Sequence, residues 1–346
     1  MKKILCIATS RKTKGGITTV LTAYQPCLFW KKYSIRWLET HNDRNRFVKL
    51  WYLCKSLTTY LFIVWFYDLV HVHTGEYKSF KRKYIFFQIA RWLHKKTIVH
   101  IHIGNQINSY ANSRTCQNML QNADAVVVLT NELKNKISEL FSIKESKISV
   151  IYNPCKAIEN VQFSMGNKTI LYAGRLETNK GYHILLEAFA MIAASYPDWK
   201  IIFAGNGEID KAVQLAEAKG ILKQVEFRGW ITGVEKDRVF REASLLCLPS
   251  YNEGFSMTVL EAWAYRLPVV CTKVGFLQDI GIDEENALFF EPGNAGELAN
   301  RLDRMIADSL LRKRIAEKSH TLATTTFNIQ NIAAQIDSLY GYLLSV

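Results

Sequence analysis

Short apolar runs closed by glycine, proline or polar turn residues recur along the chain and alternate with longer mixed stretches. Ten such runs stand out, at 3–8, 68–73, 97–104, 125–130, 148–154, 168–173, 199–204, 225–229, 245–248 and 269–271. Near-continuous rather than alternating hydrophobicity marks strands buried on both faces of a parallel sheet. Helices are predicted from 17, from about 78, from 132 onward, and over 182–194, 257–265, 297–318 and 329–344. The segment 47–66, aromatic and aliphatic with Lys49 and Lys55 inside, predicts one or two buried helices, with a membrane-dipping surface as the sharper reading. Strands alternating with helices predict an α/β architecture with parallel sheets.

With 346 residues the chain is too long for one comfortable core, so two domains are expected: 1–160, then 168–325 after the polar linker 159–167. The last helix, 326–346, is expected to pack back on the first domain. MKKILCIATS has the look of a signal peptide, but its apolar run is short and Arg11-Lys12-Thr13-Lys14 follows at once. It reads better as a first strand. No stretch has the length and purity of a membrane span, the nearest being 57–70, which contains Asp68. The seven cysteines form no close pair and several lie in predicted strands, as expected of small core residues in a reducing compartment.

Charge divides the chain. Residues 1–165 carry 25 Lys and Arg against 9 Asp and Glu, whereas the remainder carries 19 against 22. A basic half suits an acidic partner: nucleic acid, an anionic membrane or a phosphorylated substrate. No helix-turn-helix, zinc-finger or RRM pattern supports nucleic acid. Lys78, Lys81, Arg82 and Lys83, interleaved with Tyr77, Phe80 and Tyr84, suit the headgroup region of an anionic membrane.

The stretch 245–271 carries the most chemistry. It reads strand, loop, helix, strand, so its loop lies at the carboxyl end of a sheet, where ligands bind in open α/β folds. Gly254 permits close backbone approach, and the amides of Phe255 and Ser256 open a helix and suit an anion. Glu253 and Glu261 frame the unit. Their spacing, roughly 12 Å if wholly helical, exceeds the ~5–9.5 Å of paired hydrolase carboxylates. That favours separate roles. Gly174-Arg175 and Lys180-Gly181 form a second loop after a strand, with two cations suited to a diphosphate. Gly205-Asn206-Gly207-Glu208 is a third, and lacks the last glycine of a dinucleotide fingerprint. Gly15-Gly16 after the first strand is a weaker phosphate loop, equally readable as a plain turn. His100 and His102 share one strand face with no Cys or acidic partner nearby, so no metal site is expected.

Glu253-Gly254-Phe255-Ser256 to Glu261 resembles the Glu-x7-Glu motif of retaining GT-B glycosyltransferases, in particular glycosyltransferase family 4. Gly174-Arg175-Leu176 to Lys180-Gly181 is similar to that family's G-R-L-x-x-x-K-G segment, and Gly205-Asn206-Gly207-Glu208 to its third glycine loop. The resemblance implies two Rossmann-like domains facing across a cleft. It implies a nucleoside-diphosphate sugar, with uridine the expected base, as donor and no cofactor or metal. Arg175 and Lys180 would bind the diphosphate, Glu253 and the amides after it the sugar and diphosphate, and Glu261 the ribose. Arg228 stands where the family seats the base, and Gly15 and Gly16 where it faces donor and acceptor. His102 best matches the histidine beside the reacting sugar. A saccharide or lipid-linked acceptor of surface-polysaccharide synthesis is expected, at the cytoplasmic face of the plasma membrane. Phe276, Asp279 and Asn286-Ala287 depart from the family pattern. A GT-B epimerase or phosphorylase remains an alternative, and a nucleic-acid-binding protein a remoter one.

Overall fold

The computed structural model describes residues 2–13, 15–42, 44–163 and 167–345. Lys14 of the first glycine loop and 164–166 of the expected linker lie outside them. The chain divides into two compact units, one of Met1–Pro154 with Ile329–Val346, the other Cys155–Asn328.

The first unit is built on β1 (Ile4–Ala8), β2 (Arg36–Glu39), β3 (Leu69–Thr74), β4 (Lys96–Ile101), β5 (Ala125–Val128) and β6 (Ile148–Val150), in the order β2-β1-β3-β4-β5-β6. The second contains β7 (Thr169–Ala173), β8 (Lys200–Ala204), β9 (Val225–Phe227), β10 (Leu245–Leu248), β11 (Val269–Thr272) and β12 (Leu288–Phe290), in the order β12-β11-β10-β7-β8-β9. Every strand pair is parallel. All five residues of β1 are buried, as both faces of a parallel sheet require. Leu5 and Ile7 join the core on one face, while Ile4, Cys6 and Ala8 join that on the other.

All ten predicted strands are present. The two that sequence misses, β2 and β12, are the edges of their sheets. β2 is four residues, with Trp37 and Leu38 between Arg36 and Glu39, too short a pattern to stand out. The stretch predicted as one helix over 297–318 is two, Ala295–Ala307 and Ser309–Thr324, divided at Asp308, whose carboxylate accepts from the Leu311 amide (2.9 Å).

The final helix, Ile329–Ser345, belongs to the first unit. Ile332, Ile336, Tyr340 and Leu343 enter the core beneath β1, β3 and β4. The Tyr340 hydroxyl lies 2.7 Å from His71 Nδ1.

Two surface expectations are corrected. The helix Arg46–Ile63 is not a buried helix: within it only Ser56 and Tyr60 are buried, and Phe47 is 84% and Phe62 74% exposed. With the turn Val64–Phe66 it makes a 21-residue stretch containing an 18-residue window of mean hydropathy 1.3, long and apolar enough to cross a membrane by length and composition alone. In the basic cluster of the next helix, Tyr77–Trp92, Lys83 and Phe80 are fully buried. Lys83 Nζ donates to the His73 carbonyl and to Ser79 Oγ, so it is a core residue and no part of a headgroup-binding face. Helical spacing puts residue 83 on the same side as 79, 80, 86 and 87.

Candidate active site

In the second unit the chain runs β7-β8-β9 to one side, returns, and runs β10-β11-β12 to the other. β7 and β10 are therefore neighbours whose connections leave in opposite directions, the topological switch point of an open parallel sheet. The loop after β7 carries Gly174, Arg175 and Lys180, and the loop after β10 carries Glu253, Gly254, Phe255 and Ser256. Parallel strands put both loops at one sheet end.

Backbone packing locks these loops together. Tyr251 N donates to Asn179 O (3.0 Å). Gly181, at φ +70°, lies so close to Pro249 that a Cβ would stand 1.9 Å from its carbonyl oxygen. Gly205, after β8, packs on the Gly174 carbonyl, leaving 1.7 Å for a Cβ. Asn206 is exposed beside it, and its carbonyl accepts from Leu176 N (2.9 Å). Only glycine satisfies either position.

Lys180 Nζ meets Glu253 Oε1 at 2.7 Å, and Ser250 Oγ donates to the same oxygen at 2.8 Å. The Glu253 side chain is only 12% exposed, so this is a held carboxylate rather than a solvated one. Arg175 is exposed and pairs with Glu177 (2.8 Å). Ser256 caps the helix Met257–Ala264, its Oγ accepting from Val259 N (3.4 Å). Gly254 lies against Gly275, where a Cβ would come within 2.7 Å of the Glu253 and Gly254 carbonyls. The Phe255 ring stacks on buried Phe276 at 4.2 Å, so at this position the backbone, not the ring, is left for a ligand.

Glu261, on the same helix, receives Lys236 Nζ on both oxygens at 2.7 Å. Lys236, on the helix Gly233–Glu242, is a site residue that sequence reasoning misses. Nothing in its neighbourhood marks it, and only the fold brings the two helices together. The carboxylates thus have separate partners. Arg228 is paired with Glu226 through Nε (2.6 Å).

In the first unit Gly15 and Gly16 open the helix Gly16–Tyr24 with open space where a Cβ would be. His102 follows β4, its amide donating to Thr74 O (2.8 Å) and its Nε2 3.0 Å from His73 Nδ1. Sequence reasoning places two histidines here, and the structure adds His71 and His73 from β3. The four rings pack as a compact cluster on adjacent strands, with centroids 4.2 Å apart for His71–His73 and for His100–His102, and 4.9, 5.2 and 5.4 Å apart for His73–His100, His73–His102 and His71–His100. Nitrogens of His71, His73 and His100 fall within 4.8 Å of one another. The donors in this group are all imidazoles, and His73 Nδ1 is already engaged with His102 Nε2. Burial holds His71 down to about 3. His73 and His100 are well below the ordinary imidazole range, from burial first and then from neighbouring histidines. His102, partly exposed, is lowered by burial and then by His71 and Lys83. Burial, and then Arg82, push Lys83 down to about 7. At neutral pH this is a cluster of uncharged imidazoles.

Residues 12–156 match the glycosyltransferase family 4 model and residues 156–321 the glycosyl transferases group 1 model. An uncharacterized glycosyltransferase of Methanocaldococcus jannaschii is 29% identical over 231 residues, 62% of this chain and 59% of the relative. The first of these relatives is therefore matched over less than two thirds of its length. A D-inositol 3-phosphate glycosyltransferase of Corynebacterium urealyticum is 28% identical over 308 residues, 80% of this chain and 72% of the relative. Among solved structures, Anabaena HepE in complex with UDP superposes with TM-score 0.79 at 19% identity, over 98% of this chain and 100% of the other. With two parallel α/β units, the first matching the family 4 model and the second the group 1 model, the chain has the two-domain GT-B fold and is similar to glycosyltransferases over most of its length.

Proposed function

We propose that the protein transfers a sugar from a nucleoside-diphosphate sugar to an acceptor hydroxyl with retention of anomeric configuration. The Lys180–Glu253 pair between the loops of β7 and β10 carries this reading, because it sets a cation and a carboxylate side by side at the switch point (2.7 Å). Uridine diphosphate is the nucleotide expected, a reading supported by the UDP bound in HepE.

In the reaction the bond between the sugar's anomeric carbon and the diphosphate oxygen breaks. Negative charge grows on that oxygen, where Arg175, Lys180 and the amides of Phe255 and Ser256 stabilise it more in the transition state than in the ground state. The departing diphosphate takes the acceptor's hydroxyl proton, and the acceptor oxygen bonds to the anomeric carbon on the same face. Glu253 and Gly254 hold the sugar, Glu261 the ribose, and Gly174, Gly205 and Asn206 present their backbone to the phosphates, Gly205 by letting its loop pack directly on Gly174. The base is seated at Arg228. Gly15 and Gly16 give backbone approach in the first unit, and His102, kept neutral, serves the reacting sugar as a hydrogen-bonding group. No step needs a metal or cofactor, so activity is expected to survive EDTA. A saccharide or lipid-linked acceptor, as in surface-polysaccharide synthesis, completes the reading, with the protein peripheral on an anionic membrane at the cytoplasmic face.

The test is a thermal-shift screen against UDP, GDP, ADP and NAD, with Arg175→Ala and Glu261→Ala beside the wild type. A ligand bound only by the folded state raises the melting temperature, by ~2.7 kcal/mol of stability at a hundredfold excess over Kd. A rise with one nucleoside diphosphate, lost in both variants, supports the assignment. No rise with any nucleotide sinks it.

A further inference from the structure

The helix Arg46–Ile63 and the turn Val64–Phe66 have two opposite faces. Ser56, Tyr60 and Val64, four apart, are buried. The Tyr60 hydroxyl donates to the Phe86 carbonyl (2.7 Å) and the two rings meet edge to face. On the far side Phe47, Leu50, Trp51, Phe62, Trp65 and Phe66 are each more than half exposed. Trp92, from the neighbouring helix, is 74% exposed. Lys95 Nζ donates to the Trp65 carbonyl (3.1 Å), tying that corner together. Soluble monomers rarely expose so many large apolar side chains in one stretch.

Charge decides what covers this face. Residues 44–123 contain twelve Lys and Arg but only two acids, Asp68 and Glu76. Lysine is interleaved with the aromatics: Lys55 Nζ stands 4.6 Å from the Trp51 ring and Lys81 Nζ 4.6 Å from the Tyr77 ring. A second copy would bring like charge to like charge, and protein interfaces are depleted in lysine. An anionic lipid surface takes both features at once, with tryptophan and phenylalanine among the upper acyl carbons and lysine among the headgroups.

We propose that this face docks onto an anionic phospholipid bilayer, the helix lying in the plane of the interface and not crossing it. The stretch is long enough to span. Tyr60 and Val64, however, are part of the first unit's core, and Lys49 and Lys55 would be drawn into hydrocarbon. An in-plane helix keeps the core intact and every cation at the headgroups. The proposal extends the acceptor side of the function proposed above, since a lipid-linked acceptor lies in that surface; it does not depend on the donor.

The full-length protein should float with vesicles of phosphatidylglycerol and phosphatidylcholine at least about tenfold more than with phosphatidylcholine alone, and less at high salt. Tryptophan emission should shift to the blue and be quenched by brominated lipid. A Trp51→Ser, Phe62→Ser, Trp65→Ser variant, altered only at exposed positions, should lose about tenfold in vesicle binding while keeping its melting temperature. Alkaline carbonate should strip the protein from vesicles. No binding by the wild type, equal binding by the variant, or resistance to carbonate overturns the proposal. Concentration-dependent self-association that the triple substitution abolishes also overturns it, in favour of a second copy. The nucleotide-induced rise in melting temperature is read on the same samples. If it persists while flotation fails, only the membrane proposal falls; if it is absent while flotation succeeds, only the donor reading does.

Discussion

Lys180 and Lys236 make similar contacts, a lysine on a glutamate at 2.7 Å, but have opposite expected effects on ligand binding. On the function proposed above Lys180 neutralises the leaving diphosphate, so Lys180→Ala is expected to lower kcat/KM by ~10²–10³, as measured in steady-state assays. It also leaves Glu253, 12% exposed, without its cation. Lys236 holds Glu261, the carboxylate proposed above to bind the ribose. That pair is about one third exposed on each side and worth little by itself. Lys236→Ala is therefore expected to tighten nucleotide binding, by up to about fivefold. Glu261→Ala should weaken it, and titration calorimetry reads both signs. If the two variants move affinity in the same direction, the ribose assignment of Glu261 is wrong. Arg175, Lys180 and Glu253 were legible as candidates because each sits beside a glycine, and Glu261, one turn inside its helix, because of its spacing from Glu253. Lys236 has no such setting. Lys83 misled for a related reason: four cations in six residues look like a surface, while the helix turns one of them inward.

At the scale of elements, the site is a set of turns wedged against one another. A methyl group on Gly205 would meet the Gly174 carbonyl at 1.7 Å, backbone against backbone, with no flexible side chain to give way. Gly205→Ala is expected to cost about 3 kcal/mol in the second unit and to remove nucleotide binding, read by hydrogen exchange and thermal shift. The histidine cluster on β3 and β4 is expected to make the first unit acid-labile. The unfolded imidazoles titrate near 6.5, whereas in the folded protein His71 takes its proton only near 3, and His73 and His100 are also well below 6.5. Below pH 6.5 the unfolded chain thus binds more protons, and stability falls as pH drops from about 6.5 toward 3, by up to ~1.4 kcal/mol per pH unit per histidine. Urea midpoints taken across that range check the slope. A flat profile would mean the rings are not buried neutral. Parallel strands were legible because both their faces are apolar. β2 escaped because only Trp37 and Leu38 are apolar between Arg36 and Glu39, whereas β12, wholly apolar, is three residues long and was passed over. The helix Arg46–Ile63 was read as buried because its apolar residues encircle it; which of them face the core is a matter of packing.

Taken whole, the molecule is two parallel α/β units, with the second unit's sequence inserted into the first's. The basic half and the near-neutral half of the sequence coincide closely with them, so the charge division seen along the chain survives as a division between folded bodies. The final helix supplies Ile332, Ile336, Tyr340 and Leu343 to a core begun by β1. At ~1.5–3 kcal/mol per buried side chain, deleting 329–345 removes roughly 6–12 kcal/mol, as much as holds many whole domains together. Hydrogen exchange on the truncated chain is expected to show a loosened first unit beside a protected second one. Protection unchanged in both would mean the helix is dispensable. A ribosome making this protein releases the first six strands early, yet it cannot release the piece that seals them until every residue of the second unit has been made. The early part must wait with an apolar flank uncovered, as a client for chaperones or for the nearest lipid, while the later part folds first to completion.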